Sequence, residues 1–279
     1  MMRDNIEEFK GSTIQHGDYN DRIYLMDAGD DPPLYLGKDL IHMAKRKGYS
    51  KIFAKVPDHL SDQFIGSGFV EEAKVPGYYN GEEDAIFMGY YDKKERALEV
   101  GGDELDEILK LTIEKANESP DGSFDERFEL GLCENGDVTE MAEIYSEVFP
   151  SYPFPIRDPK YLLETMKSHV EYFGVIHDGN LIALSSAEIN WKRSNVEMTD
   201  FATLPQWRGN GLGYHLLREM EKEMRRRSLK TAYTIARARS VGMNVTFARC
   251  GYGFGGRLKN NTNISGNIES MNVWYKGLQ

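Results

Sequence analysis

Cysteine is scarce, with two residues in 279, Cys133 and Cys250. Two thiols so far apart in sequence build neither a disulfide framework nor a metal site, so no metal is expected and both should pack as small apolar groups. Long apolar runs are missing as well: no stretch approaches the roughly 20 residues that cross a bilayer. The opening residues Met1-Met2-Arg3-Asp4-Asn5 carry no apolar signal segment. A cytoplasmic protein with no membrane partner is therefore expected. Basic charge is short in one half only. Residues 1–125 hold 15 Lys and Arg against 27 Asp and Glu, whereas residues 126–279 hold 19 against 18. An acidic half, and basic residues without interleaved aromatics, argue against nucleic acid as a partner. Core material is plentiful, since 40% of the residues are hydrophobic, in a length suited to one large domain or two ordinary ones.

The stretch Gln206-Trp207-Arg208-Gly209-Asn210-Gly211-Leu212-Gly213 carries the most information. Val196–Thr203 reads as a strand stopped by Pro205, and Leu212, Leu216, Leu217, Met220 and Met224 recur at helical spacing behind the turn. A strand-to-helix turn nearly free of side chains aims unpaired N–H groups and the positive end of a helix dipole outward, which suits a diphosphate. A P-loop is excluded because Tyr214 and His215 stand where Lys and Ser/Thr are required, and the Gly-Asn-Gly-Leu-Gly spacing does not match a dinucleotide fingerprint. Between Gln206 and Lys259 there are 12 Lys and Arg against three Glu, a local field suited to a phosphorylated ligand. Arg225-Arg226-Arg227 within it also reads as a solvated helix end paired with Glu221 and Glu223.

Gln206, Gly209 and Gly211 match the acyl-CoA signature Gln/Arg-x-x-Gly-x-Gly/Ala, and Gly251-Tyr252 stands where a Gly-Phe pair is usual. The stretch thus resembles the GNAT superfamily of N-acetyltransferases. That resemblance implies an α/β (α+β) fold with a mixed central sheet flanked by helices, and acetyl-CoA as the cofactor. It implies that Phe201, Ala202 and Thr203 open in a splayed or bulged geometry toward the pantetheine arm, that Gln206, Arg208, Gly209, Asn210, Gly211, Leu212 and Gly213 hold the diphosphate, and that Asn244 and Phe247 on the following short helix complete the coenzyme site. The closing region, from Gly242-Met243-Asn244 through Arg257-Leu258-Lys259-Asn260-Asn261 to Trp274-Tyr275-Lys276, together with a two-part layout, resembles the β-lysine N-acetyltransferases, which acetylate the side-chain amine of β-lysine to make a compatible solute.

The turn-rich linker Glu118-Ser119-Pro120-Asp121-Gly122-Ser123 divides the chain into residues 1–122 and 123–279. Beyond it the expected order is β-α-α-β-β-β-α-β-α-β-β, with helices at Val138–Phe149 and Pro159–Ser168 and a hairpin about Asp178-Gly179-Asn180. In the first unit a helix is expected at Asp39–Lys47, strands at Lys51–Val56, Val70–Ala73 and Ala85–Tyr91, and Gly68-Phe69 echoes the family's Gly-Phe. This fits a degenerate, CoA-free partial GNAT module that forms part of the substrate wall or an interface with a second copy in a homodimer; an unrelated small α/β domain fits almost as well.

Acyl transfer to an amine needs a base, because an alkyl ammonium loses its proton only near pH 10.4. Glu197 and Asp200 are the acids on the strand entering the cradle. Three positions apart on a regular strand they should face opposite sides, and the resemblance favours Glu197, five residues before Ala202. Many GNAT enzymes place the thiolate's acid four residues before the Gly-Phe glycine, where this chain has Phe247; Tyr252 and Tyr233 are alternatives. For the acceptor, a small-molecule amine, the loop Phe149–Arg157 offers the aromatic faces of Tyr152 and Phe154 and the guanidinium of Arg157, and Asn260 and Asn261 offer hydrogen bonds from a facing loop. Other amine acceptors, or a CoA-binding sensor without turnover, remain alternatives.

Overall fold

The computed structural model describes residues 4–117 and 124–279; the linker and the boundary inside it lie outside the described residues. The first unit begins with a meander, β1 (Asn5–Phe9), β2 (Ser12–Gly17) and β3 (Arg22–Asp27), followed by α1 (Leu36–Lys47), β4 (Lys51–Pro57), a 3-10 turn and α2 (Ser61–Ile65), β5 (Val70–Tyr79), β6 (Glu83–Tyr91), α3 (Lys94–Ala97) and α4 (Gly102–Lys115). The second comprises β7 (Glu129–Leu132), α5 (Val138–Val148), α6 (Pro159–Met166), β8 (Val170–His177), β9 (Asn180–Asn190), β10 (Asn195–Thr203), α7 (Leu212–Arg226), β11 (Thr231–Arg237), α8 (Val241–Arg249), β12 (Gly253–Ile264) and β13 (Asn267–Gly277). The second-unit elements match their expected order. The three strands before α1 were not expected, because their short segments about the Lys10-Gly11 and Asp18-Asn20 turns carry little periodicity.

All 13 strands form one sheet in the order β1-β2-β3-β4-β6-β5-β12-β13-β11-β10-β9-β8-β7. In the first unit β3 and β4 pair in parallel across α1; in the second β10 and β11 pair in parallel across α7. The inner orders β3-β4-β6-β5 and β10-β11-β13-β12 run inward from opposite sides to the seam where β5 meets β12. The two halves therefore share a strand plan. Their βα turns differ: the first carries Asp30-Asp31-Pro32-Pro33, whose acids and prolines suit no phosphate.

Helix α7 covers the second half of the sheet with Leu212, Leu216, Leu217, Met220 and Met224, all at most 2% exposed, each contributing about 1.5–3 kcal/mol of apolar burial. On the same helix Glu221 is fully buried, paired with Lys276 at 2.9 Å and Arg225 at 3.2 Å. Arg226 and Arg227 pair with Glu223, and Arg227 also with Glu171. The arginine run is thus the paired helix end, at the opposite terminus of α7 from the cradle. Among the described residues no helix is long and apolar enough to cross a membrane.

Candidate active site

Strand β10 pairs with β11 only from Asn195 to Glu197, against Thr231 to Tyr233. Beyond that the two strands part, and β10 is bulged against β9 between Thr199 and Ala202. The gap between them is the mouth of a cavity of about 690 Å³, floored by Thr234–Arg237 and walled by Phe201, Thr203, Arg208, Gly209, Gly211, Leu212, Gly213, Met243 and Phe247. At its α7 end, Gly211 is the helix N-cap with φ +68°, a left-handed conformation that favours glycine. Among the described residues, none accepts a hydrogen bond from the N–H groups of residues 209–213. A Cβ built at Gly209 would meet open space. A row of outward N–H donors at a helix start is an anion site.

A second cavity, of about 300 Å³, opens beside the first and shares Tyr152, Thr199, Asp200, Ile235, Ile264 and Met271 with it. Its walls come from both units: Arg22, Tyr24, Asp27, Phe53, Lys55 and Tyr78 from the first, and Phe154, Glu188, Glu197, Asp200, Tyr233 and Asn261 from the second. Glu197 and Asp200 both face it, contrary to the alternation expected of a regular strand. The reason is the bulge: Asp200 sits at φ +56°, and the extra residue resets the pleat.

Asp200 accepts hydrogen bonds from Tyr152 and from Ser186 at 2.7 Å, while Glu197 accepts from Tyr233 at 2.8 Å, whose hydroxyl also accepts from Lys55 at 3.3 Å. Glu188 stands directly across from Glu197 in the β9–β10 register. Burial and the carboxylates of Glu197 and Asp200 push its carboxyl up to about 8, against a smaller pull from Lys55. Burial raises Glu197 too, although Lys55 and Tyr233 oppose it, and burial raises Asp200 despite its three side-chain donors. Burial would discharge Lys55, but Tyr24, Tyr78 and Glu197 outweigh it and hold the ammonium charged. Three crowded carboxyls in the smaller cavity, one of them also on the larger, can bind an ammonium and take its proton.

Residues 138–252 match the model of the acetyltransferase (GNAT) family. The chain is 40% identical over 273 residues to the β-lysine N(6)-acetyltransferase of Methanococcus maripaludis, covering 98% of both chains. The chain belongs to the GNAT acetyltransferase family. It is also 32% identical to the β-lysine N(6)-acetyltransferase of Methanosarcina mazei, over 85% of this chain and 94% of that one, and 31% identical to the N-acetyltransferase YodP of Bacillus subtilis, over 96% of each. This GNAT enzyme is an N-acetyltransferase that uses acetyl-CoA, and the splayed strands and unpaired cradle amides fit that coenzyme.

Of the residues expected at the coenzyme, Phe201, Thr203, Arg208, Gly209, Gly211, Leu212, Gly213 and Phe247 line the larger cavity of this acetyltransferase. Gln206 and Asn210 are exposed beside it, and Asn210 Nδ2 donates to the Trp207 carbonyl at 2.9 Å, closing the turn. Ala202 faces the apolar cluster under α5 and α6. Asn244 departs from its expected place. Its fully buried carboxamide donates to the Arg237 and Ser240 carbonyls and accepts from Asn272 and from Trp274 Nε1, so it ties α8 to β11 and β13.

On the acceptor side Tyr152, Phe154 and Asn261 line the smaller cavity. Two expected residues are used elsewhere: the Arg157 guanidinium donates to the Phe149 carbonyl within its own loop, and Asn260 Nδ2 donates to the carbonyls of Arg96 and Leu98, at 2.8 and 2.9 Å. Phe247 is buried, packed edge-on against Phe201 and Tyr252, and has no proton to give. Tyr252 lines neither cavity. Sequence reasoning missed Glu188, Lys55, Arg22 and the serine under Asp200. A signal existed for the first two: each is a lone charge in an otherwise uncharged stretch of strand, Leu181–Ile189 and Ile52–Val56.

Proposed function

We propose that this chain transfers the acetyl group of acetyl-CoA to the side-chain amine of β-lysine, giving N6-acetyl-β-lysine. The observation that carries the reading is the acidic cluster of Glu188, Glu197 and Asp200 in a second cavity of diamine size, which meets the coenzyme cavity at Asp200. Acetyl-CoA supplies an activated acyl thioester. Glu197 or Asp200 takes the proton of the entering ammonium, directly or through water, with Glu197 the preferred base. Asp200 lies on both cavities, and Tyr152 donates to it there. The nitrogen gives up two protons in becoming an amide: the first, from the ammonium, leaves through the base to solvent, and the second, lost as the amide forms, replaces through Asp200 the proton that the Tyr152 hydroxyl hands to the departing thiolate, so one proton is released per turnover and the site ends as it began. This supplies the acid that Phe247 cannot. In this division of the chain the first unit supplies one wall of the acceptor cavity, and the second supplies the other wall and holds the coenzyme. The product keeps one ammonium and one carboxylate, a net-neutral solute suited to the cytoplasm.

The test is mass spectrometry of purified protein with acetyl-CoA and β-lysine. The expected result is a product carrying one acetyl group on the terminal nitrogen. Turnover of spermidine or α-lysine with β-lysine untouched overturns the assignment of acceptor, and coenzyme binding without any product favours a sensor.

A further inference from the structure

The smaller cavity has an unused charge at the end contributed by the first unit. Arg22, at the start of β3, is 4% exposed and lines the cavity. Its hydrogen-bond and ring partners are all neutral, and the one carboxylate that acts on it, Asp4, does so without a hydrogen bond to it and is held by Tyr19 and Asn20. Nη1 donates to the Asn261 carbonyl at 2.5 Å and to Thr262 Oγ1 at 3.2 Å, and the guanidinium lies over the rings of Tyr24 and Phe53. Its Nε is buried with no acceptor. A buried guanidinium with no anion hydrogen-bonded to it is costly, and a chain that keeps one in a cavity wall is equipped to bind an anion there. Beside it, Asn261 is 1% exposed, and its Oδ1 is buried with no donor. Asn261 is held in place by the irregular β12–β13 pairing between Leu258 and Thr262 and by Arg22 itself.

An unsatisfied cationic donor and an unsatisfied neutral acceptor, side by side, form a complement to a carboxylate and an ammonium two carbons apart. The three carboxyls lie along β9 and β10, the strands leading to the coenzyme cavity, whereas Arg22 belongs to β3 in the other half of the sheet. The cavity therefore has a polarity. Resting on the β-lysine reading above, we propose that Arg22 binds the acceptor's carboxylate and that Asn261 Oδ1 accepts from its β-ammonium, so that the first unit reads the amino-acid end of the substrate while the second carries out the chemistry. Neither residue touches the reacting atoms; both determine specificity.

The experiment compares three acceptors with the full-length enzyme: β-lysine, pentane-1,4-diamine, which lacks the carboxylate, and 6-aminohexanoate, which lacks the β-ammonium. Wild type should prefer β-lysine over pentane-1,4-diamine in kcat/KM on the order of 100-fold, because a site built around a charged partner rejects an analogue without it. Arg22→Met should remove most of that preference, raising KM for β-lysine while its kcat on pentane-1,4-diamine and its CoA affinity by calorimetry stay near wild type. Asn261→Leu should do the same for 6-aminohexanoate alone. Wild type that uses β-lysine and pentane-1,4-diamine equally well overturns the inference and leaves the β-lysine reading standing, as does an Arg22→Met enzyme that loses equally on both. Wild type inactive on β-lysine but active on another amine defeats the reading of function first, and the inference falls with it.

Discussion

At the residue scale, the site depends on burying more negative charge than it neutralises. Replacing Glu197 by Gln keeps the Tyr233 contact but removes a base, so kcat should fall about 100-fold with CoA affinity unchanged; steady-state kinetics beside calorimetry checks this, and full activity across the pH range removes Glu197 from the mechanism. Glu188 makes a second expectation, with a sign set by its raised carboxyl. A group whose folded-state pKa lies near 8 rather than at the ordinary 4.5 contributes stability that is complete below the lower value and is lost as pH rises through the upper one. The ligand-free protein should therefore lose Tm between about pH 5 and pH 9, and Glu188→Gln should flatten that decline. Thermal melts across the range decide it, and parallel curves for the two proteins assign the pH dependence elsewhere. Asp200 shows why residue-level reading has a limit. Its type and position are evident in the sequence, yet the side it faces depends on a one-residue bulge against β9.

At the element scale, α7 does two things with one helix. Its apolar face anchors the sheet, and its first turn presents unpaired amides. The two functions separate by mutation. Leu216→Ala, in the fully buried face, should cost about 2–5 kcal/mol and lower Tm without changing CoA affinity per folded molecule. Gly211→Glu should leave the melt close to wild type, apart from the strain of a side chain at φ +68°, and abolish detectable CoA binding by calorimetry, because it puts a like charge in the diphosphate path. Tight binding by that variant removes the cradle assignment. This element was legible beforehand because glycine spacing and a 3.6-residue apolar period are local properties. The β1–β3 meander was not, since its short segments carry no clear apolar period of their own.

At the scale of the whole molecule, the acceptor cavity exists because two similar strand plans meet edge to edge. The seam has Gly256 opposite Ala73, and a Cβ at Gly256 would stand 2.2 Å from the Glu72 carbonyl oxygen, at φ +140°. Lys51 and Glu72, both fully or nearly fully buried, pair at 2.8 Å and each bonds Lys259 across the same seam. Gly256→Val should pry β12 from β5, lower Tm by roughly 5 °C and raise KM for the acceptor more than KM for acetyl-CoA, because only the acceptor cavity has a wall from each unit. Equal effects on both substrates place the seam outside substrate recognition.

The amino-acid sequence alone determined the family and the coenzyme and pointed to a diphosphate turn and two candidate bases, because each is written in residues adjacent along the chain. Only the tertiary structure assembled the cavity proposed for the acceptor. Arg22, Lys55, Glu188 and Asn261 lie on four strands, and no spacing relates them; the sheet brings them to one cavity. It also turned Asn244, Arg157 and Asn260 from expected ligand contacts into internal supports, since a polar side chain buried by folding must be satisfied where it lands.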